Sequence, residues 1–174
     1  GAVAVGALIG ANVVTNSIRA QICGSEASSG STLDLGALNE SSIASTTFGV
    51  AGSGAASVLL SLSANVVTNA TEASITEHQV FDEEGNLVSS TASVVNAGGA
   101  VTLSARDSSR IDALAFGVSA AGGGAVGAGI GANVITNTVT TAVGGSTLTT
   151  HGSLNLSSES SSTIRALAFG VSGS

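Results

Sequence analysis

The residues that could do chemistry in this chain are few, and none of them forms a familiar catalytic motif. The two histidines, His78 and His151, stand singly, and the only cysteine, Cys23, has no evident histidine partner. Asp107 and Asp112 flank an arginine and are the one pair of acids that could serve glycoside or polyuronate chemistry. The third repeat described below has Ser and Arg at these two positions. We therefore predict that the chain is not an enzyme and carries no metal or other cofactor.

The composition excludes several further classes of protein. Ser, Ala, Gly and Thr fill 98 of the 174 positions, while charged residues make up 9% and aromatic residues 2%. A net charge of −7 is the opposite of what a nucleic-acid binder needs. Val, Leu and Ile are too frequent for a disordered linker. A chain this rich in tiny and β-branched residues is typical of a stacked, repetitive β structure.

Two sequence elements recur three times in the same order. The first is a heptad containing two asparagines, at residues 10–16, 63–69 and 131–137. The second places a leucine eight residues before an isoleucine and thirteen before a phenylalanine, starting at Leu35, Leu103 and Leu156. These elements divide the chain into units 1–52, 53–120 and 121–174. We predict that the three units form a single β-solenoid segment of a longer chain. We predict that a unit of about 53 residues makes two or three turns.

Alternation with a period of two predicts a strand ahead of the asparagines in each unit. One face of this strand is aliphatic and is predicted to point into the core; its row in the third unit is Val126, Ala128, Ile130, Ala132 and Val134. Adjacent apolar residues such as Val66 and Val67 then predict a bulge that switches the inward face. The core candidates after this bulge are Val14, Ile18, Ile22, Val67, Ile75, Ile135, Val139 and Val143.

The paired asparagines are predicted to lie at the corners of successive turns, because Asn tolerates left-handed backbone and can bond its own main chain. Stacked at matching corners, their amides would form a hydrogen-bonded ladder. The predicted structural ladder consists of Asn12, Asn16, Asn65, Asn69, Asn133 and Asn137. Ligand or cation binding by these amides is the alternative.

The second unit carries a 15-residue insertion within 76–100. Short apolar pairs on both sides of Gly85-Asn86 predict a β-hairpin that protrudes from the stack. A possible partner-binding site on it consists of Glu77, His78, Asp82, Glu83 and Glu84, and a solvated tip is the alternative. The lone Cys23 cannot form an intrachain disulfide and is predicted to be a buried free thiol, with intermolecular pairing as the alternative.

The repeats resemble those of large bacterial filamentous adhesins and exoproteins of the haemagglutinin or leukotoxin type. The similarity is carried by the Val/Gly/Ala strand and Asn-rich segment at 113–137 and by Arg110-Ile-Asp-Ala-Leu114, echoed by Thr163-Ile-Arg-Ala-Leu167. It covers all three units but not the hairpin. The resemblance implies a right-handed parallel β-helix stalk, secreted by Gram-negative bacteria and displayed at the cell surface, with no catalytic residues to carry over.

The leading functional prediction is a structural stalk segment of a secreted adhesin or fibre that attaches a cell to other cells, surfaces or matrix. Its partners would be neighbouring repeats or identical chains, packed end to end or laterally, and host or matrix glycans or proteins. No nucleic-acid partner and no membrane span are expected. The alternatives are a subunit of a self-assembling extracellular filament and, less favoured, a carbohydrate-active parallel β-helix.

Overall fold

A computed structural model describes residues 2–174 and contains eleven β-strands and no helix in that range. The strands are β1 (Val3–Cys23), β2 (Glu26–Ser29), β3 (Leu33–Ser53), β4 (Ala56–Thr76), β5 (His78–Phe81), β6 (Leu87–Thr91), β7 (Val94–Ala97), β8 (Val101–Ala121), β9 (Gly124–Gly144), β10 (Thr147–Thr150) and β11 (Leu154–Gly173). Six of them have 20 or 21 residues. At about 3.3 Å per residue, each of these strands is about 70 Å long. The absence of proline lets them run without interruption.

Corresponding strands of the three units stack in parallel. The sheets are β1-β4-β9, β2-β7-β10 and β3-β8-β11, and their registers contain no shift. Asn12 pairs with Asn65, which pairs with Asn133, as the repeat offsets require. The predicted all-β, parallel solenoid is therefore confirmed.

Each unit makes one turn of the solenoid, and the estimate of two or three turns is wrong. A turn is a long strand, a short strand and a second long strand, as in β1, β2 and β3. The estimate assumed short strands with frequent corners, but two 21-residue strands use most of the unit. We call the end of the turn that carries the short strands the wide end, and the end at residues 54–55 and 122–123 the narrow end.

The predicted hairpin is confirmed. Strands β5 and β6 pair antiparallel and leave the stack between β4 and β7. Seventeen residues separate Thr76 from Val94, whereas two residues suffice at the same place in the other turns. Gly85 has φ of 83°, a conformation that L side chains rarely adopt.

Apolar side chains fill the wide end. Ile75, Val95, Val101 and Leu103 are fully buried there, with Ile18, Ile22, Val139 and Val143 packed against them. A second, smaller cluster joins Ile43, Val67 and Ile111 to Val14 and Ile135. These two clusters contain all eight residues that were predicted to join the core after the bulge position, so that prediction is confirmed.

At the narrow end the two long sheets lie so close together that their backbones are in contact. A Cβ placed on Gly127 would lie 2.8 Å from the carbonyl oxygen of Gly117, and one on Gly117 would lie 2.7 Å from that of Ala128. Such distances leave no space for a side chain. The side chains that face inward along this half of the strands are therefore small, namely Gly, Ala, Ser and Thr47, with an occasional Leu.

The predicted aliphatic core row points outward, and the predicted bulge is absent. Val5, Ile9 and Val13 have 78%, 76% and 70% of their surface exposed, whereas Leu59 on the opposite face of the next strand is buried. A strand with unbroken alternation has one inward face from end to end. The buried Val67 and the pinched narrow end fix that face, so Val66 and its row face outward.

Candidate functional site

Asp107 and Asp112, the acids considered for catalysis, lie on opposite faces of β8. Asp107 is fully buried, and Asp112 is on the outer surface. They are five positions apart, and an odd offset along a strand reverses the direction of the side chain. Arg110 Nε lies 2.5 Å from Asp112 Oδ2, and this hydrogen bond holds the pKa of the Asp112 carboxyl below its usual range. The structure therefore does not bring the two carboxylates together.

Asp107 is part of a polar layer inside the solenoid. Its carboxylate accepts hydrogen bonds from Asn39 Nδ2 at 2.6 Å, from Ser109 Oγ at 2.7 Å and from Asn137 Nδ2. Asn69 Nδ2 extends the layer by donating to Ser109 Oγ at 2.9 Å. Buried polar groups are retained when they are hydrogen-bonded in this way. Sequence reasoning missed the layer, although Asp107 is four residues from the core residue Ile111 and so must share its face.

The six asparagines of the predicted ladder lie in the middle of long strands. The prediction of corners is wrong, because no non-glycine residue in the described range has positive φ and these strands run unbroken through the heptads. Asn12 Nδ2 donates to Asn65 Oδ1 at 2.8 Å, and Asn65 Nδ2 donates to Asn133 Oδ1 at 2.8 Å. We call these three residues the amide ladder.

The other three asparagines bond across the interior instead of along the stack. Asn16 Nδ2 donates to Asn39 Oδ1 at 3.1 Å and to Ser41 Oγ at 3.0 Å, and Asn69 and Asn137 belong to the layer of Asp107. These amide NH2 groups therefore find Asn, Ser and Asp partners inside the fold, whereas Asn137 Oδ1 has no hydrogen-bond partner in the described range.

The hairpin separates the five predicted partner-binding residues. Asp82 accepts from the backbone N of Asn86 at 2.7 Å and closes the tip, and this bond lowers the pKa of the Asp82 carboxyl. Glu77 lies at the base of the hairpin, where its carboxylate accepts from Gln79 Nε2 on β5 at 2.6 Å and from Ser90 Oγ on β6. His78 lies at the base of the hairpin beside Gly24.

Only the tip of the hairpin offers free acidic groups. Glu83 and Glu84 are exposed there, between the exposed apolar side chains of Phe81 and Leu87. The accessible part of the predicted site is thus smaller than the five residues and includes apolar surface.

Cys23 is exposed, so the prediction that its thiol is buried is wrong. It occupies an outward position near the end of β1, and its Sγ lies 3.5 Å from the carbonyl oxygen of Glu77. Inward positions of β1 have even numbers, which places this odd-numbered residue outside.

The largest unexpected surface is the outer side of the sheet β1-β4-β9 at the narrow end. We call it the aliphatic face. It consists of five rows that cross the three strands: Val5/Val58/Val126, Ala7/Leu60/Ala128, Ile9/Leu62/Ile130, Ala11/Ala64/Ala132 and Val13/Val66/Val134. The sequence contains these rows, but the prediction assigned them to the core.

A second apolar patch lies on the other side of the narrow end, on β3-β8-β11, where Val50, Leu167 and Val171 are also exposed. Phe48 and Phe116 stack with ring centroids 5.2 Å apart, and Phe116 contacts Phe169 edge to face at 4.2 Å. We call these three residues the phenylalanine stack. Beside it, an open groove of about 360 Å³ crosses the three strands at residues 44–46, 112–114 and 165–167.

No group of three His, Cys, Asp or Glu side chains in residues 2–174 is arranged to hold a metal ion. The described chain also has no helix that is long and apolar enough to cross a membrane. The fold defines a parallel β-solenoid of three turns with a hairpin on the middle turn. Scans of protein-family models, curated proteins and solved structures each return no match to this chain.

Proposed function

We propose that this chain is a structural stalk segment of a secreted bacterial surface adhesin or fibre. The observation that carries the proposal is the repetition of side-chain contacts from turn to turn. The amide ladder and the phenylalanine stack both run along the axis of the solenoid. In repeat proteins, each unit is stabilised mainly by its neighbours, and the structure extends by adding units.

Two of the three ion pairs in the described residues also join successive turns. Arg19 Nε lies 3.7 Å from Glu72 Oε2 on the next turn, and Arg106 pairs with Glu159 at 3.4 Å across β8 and β11. Exposed pairs of this kind contribute little stability, about 0.2–1 kcal/mol each. Their value to a stalk is in register, because a shifted turn would separate the partners.

The resemblance to filamentous adhesin repeats supports placement at the surface of a Gram-negative cell. In this proposal the stalk holds a cell to other cells, to matrix or to a surface, and acts through geometry without a chemical step. The hairpin tip, with Glu83 and Glu84 exposed, is the place on this segment where a host or matrix protein or glycan would bind.

The test is to locate the segment on the cells that make it. Antibodies raised against the folded chain and detected by immunogold electron microscopy should label fibres outside unpermeabilised cells. Deletion of the segment from the full-length protein should shorten those fibres and leave them exported. Labelling confined to the cell interior would refute the proposal.

A filament subunit is the second candidate, and the strand edges at both ends of the stack favour it. β1 and β3 pair on one side only, as do β9 and β11 at the other end, and unpaired edges template further pairing. Negative-stain microscopy of the purified chain separates the two candidates. Regular fibres that lengthen with concentration support the filament subunit, and a stable monomer supports the stalk.

A further inference from the structure

The aliphatic face is a continuous apolar surface on the outside of the stack. None of its fifteen side chains contains a polar atom, and those on the edge strands are widely exposed, with Ile9 at 76% and Ile130 at 52%. Folded monomers rarely expose apolar patches larger than a few hundred Å² unless the patch binds something.

We propose that the aliphatic face binds the same face of a second copy of this chain, so that two solenoids lie side by side with their axes parallel. The proposal rests on the stalk function and deepens it by naming the partner of one surface. A stalk built this way is a double fibre.

The relief of the face supports self-association. Its rows alternate between ridges of Val or Ile, at Val5, Ile9 and Val13, and furrows of Ala, at Ala7 and Ala11, with the equivalent residues of the other turns completing each row. The furrow of Ala11, Ala64 and Ala132 is free of larger side chains along all three turns. The other furrow contains Leu60 in the middle turn and has space on either side of it.

Symmetry then selects the arrangement of the two copies. A two-fold axis parallel to the stack and between the rows of Ile9 and Ala11 places the ridge of Ile9, Leu62 and Ile130 over the partner's furrow of Ala11, Ala64 and Ala132. The ridge of Val13 then lies over the furrow of Ala7, where Val66 meets Leu60 in the middle turn. The interface is isologous, because the same rows are used on both sides. A two-fold axis along the strands would instead place Ile9 over Ile9, ridge against ridge. Interlocking therefore requires parallel stacks with antiparallel strands.

Charged groups fall outside the contact. The nearest charged row on the outer side of this sheet is that of Arg19 and Glu72, which pair with each other six residues beyond Val13 and Val66. In the interlocked arrangement this charged row lies beyond the end of the partner's long strand and does not contact it. The acidic hairpin leaves from the wide end, at the far end of β4, so its charges do not oppose association.

The size of the face sets the strength of the contact. The axis between the rows of Ile9 and Ala11 overlaps four rows, from Ala7 to Val13, which span about 26 Å along the strands. With three strands about 15 Å across, the contact is on the order of 400 Å² per copy. Stable interfaces bury about 800 Å² per partner, so three turns form a weak, reversible dimer. Every further turn would add about 130 Å² at the same spacing.

The experiment combines sedimentation equilibrium with small-angle X-ray scattering of the purified 174-residue chain between 10 μM and 1 mM. We expect a monomer–dimer equilibrium in which the cross-section thickens and the extent along the stack is unchanged. Ala64→Leu fills the furrow of Ala11, Ala64 and Ala132 and makes the aliphatic face more apolar. It should raise the dissociation constant of the dimer at least tenfold. Ala120→Leu, on the exposed outer side of β8, is the matched control and should have no effect.

Circular dichroism checks that both variants keep the β fold. Stronger association of Ala64→Leu would overturn the proposal, because it would indicate nonspecific apolar contact. A dimer extended along the stack with an unchanged cross-section would overturn it in favour of end-to-end assembly. A folded monomer at 1 mM would overturn the lateral pairing and leave the stalk function standing. Binding of the monomer to neutral phosphatidylcholine vesicles without dimerisation would identify a lipid surface as the partner instead.

Discussion

The adjacent residues Val66 and Val67 test which face of the long strands points inward. Val67 is fully buried against Ile43 and Ile111, whereas Val66 is half-buried on the outer surface between Val13 and Val134. Each can be changed to Ala, which removes the same atoms from neighbouring positions on one strand. The pair is therefore its own control for β propensity.

The expected costs differ because only one of the two sites is closed. Val67→Ala removes two buried methyl groups, worth about 1.6 kcal/mol at about 0.8 kcal/mol each. The cavity left behind, on the order of 50 Å³ at about 24 cal/mol per Å³, adds about 1 kcal/mol. Val66→Ala loses only cross-strand contacts on an open surface, at about 0.2–1 kcal/mol. We expect about 2–3 kcal/mol for Val67→Ala and less than about 1 kcal/mol for Val66→Ala.

Urea unfolding monitored by far-UV circular dichroism measures both values, provided that the two variants share the m-value of the parent chain. In thermal unfolding, a loss of about 2.5 kcal/mol should lower the Tm by about 5–10 °C for a chain of this length. Equal costs, or a larger cost for Val66→Ala, would refute the inward placement of Val67 and restore the bulge that the sequence predicted.

Three further predictions follow from the interior and the surface. Gly129→Ala should destabilise the chain by more than about 3 kcal/mol in urea unfolding. The new Cβ would lie 2.7 Å from the carbonyl oxygen of Phe169 and even closer to that of Ala115. Gly124→Ala is the control and should change the stability little, because in the described chain no atom lies within 4 Å of its Cβ position. Asn65→Ala removes the centre of the amide ladder and should cost about 1–3 kcal/mol, since two side-chain hydrogen bonds of about 0.5–1.5 kcal/mol each are lost and only the exposed Asn12 gains water in exchange; an unchanged midpoint would contradict a structural role. Arg110→Gln should raise the pKa of Asp112 in a carboxyl ¹³C NMR titration. The hydrogen bond from Arg110 favours the ionised Asp112 in the folded chain. The small stability that it contributes is therefore present above the ordinary pKa of 3.8 and disappears as the pH falls through the lower pKa of the folded state. The Arg110→Gln variant should not show this decrease in stability.

The repeat spacings determined the stacking of this protein from sequence. Asn12, Asn65 and Asn133 recur with one length difference, and a chain that pairs equivalent residues of successive units can only form parallel, in-register sheets. The length difference located the hairpin, and Gly85 supplied its turn. The core of the wide end was also predictable, because large aliphatic residues such as Ile75 alternate there with polar ones.

The number of turns per unit was not predictable, because alternation continues unchanged through a long strand and does not show where a strand bends. The exposed surfaces could not be predicted from sequence either, for a similar reason. Period two divides the residues of β4 between two faces but does not say which face is inside, and the sequence favoured the face with more aliphatic carbon.

Only the approach of the two long sheets decided between these faces. At the narrow end their backbones come into contact at Gly117 and Gly127, so the interior accepts tiny side chains and excludes rows of Val and Ile. Asp107 and the amides of Asn16, Asn69 and Asn137, which look like surface residues in sequence, are stabilised inside because the facing sheet supplies hydrogen-bond partners. The sequence alone determined the stack and its register, which depend on repetition along the chain. The tertiary structure decided what is core and what is surface, since that depends on the distance between sheets that are far apart in sequence.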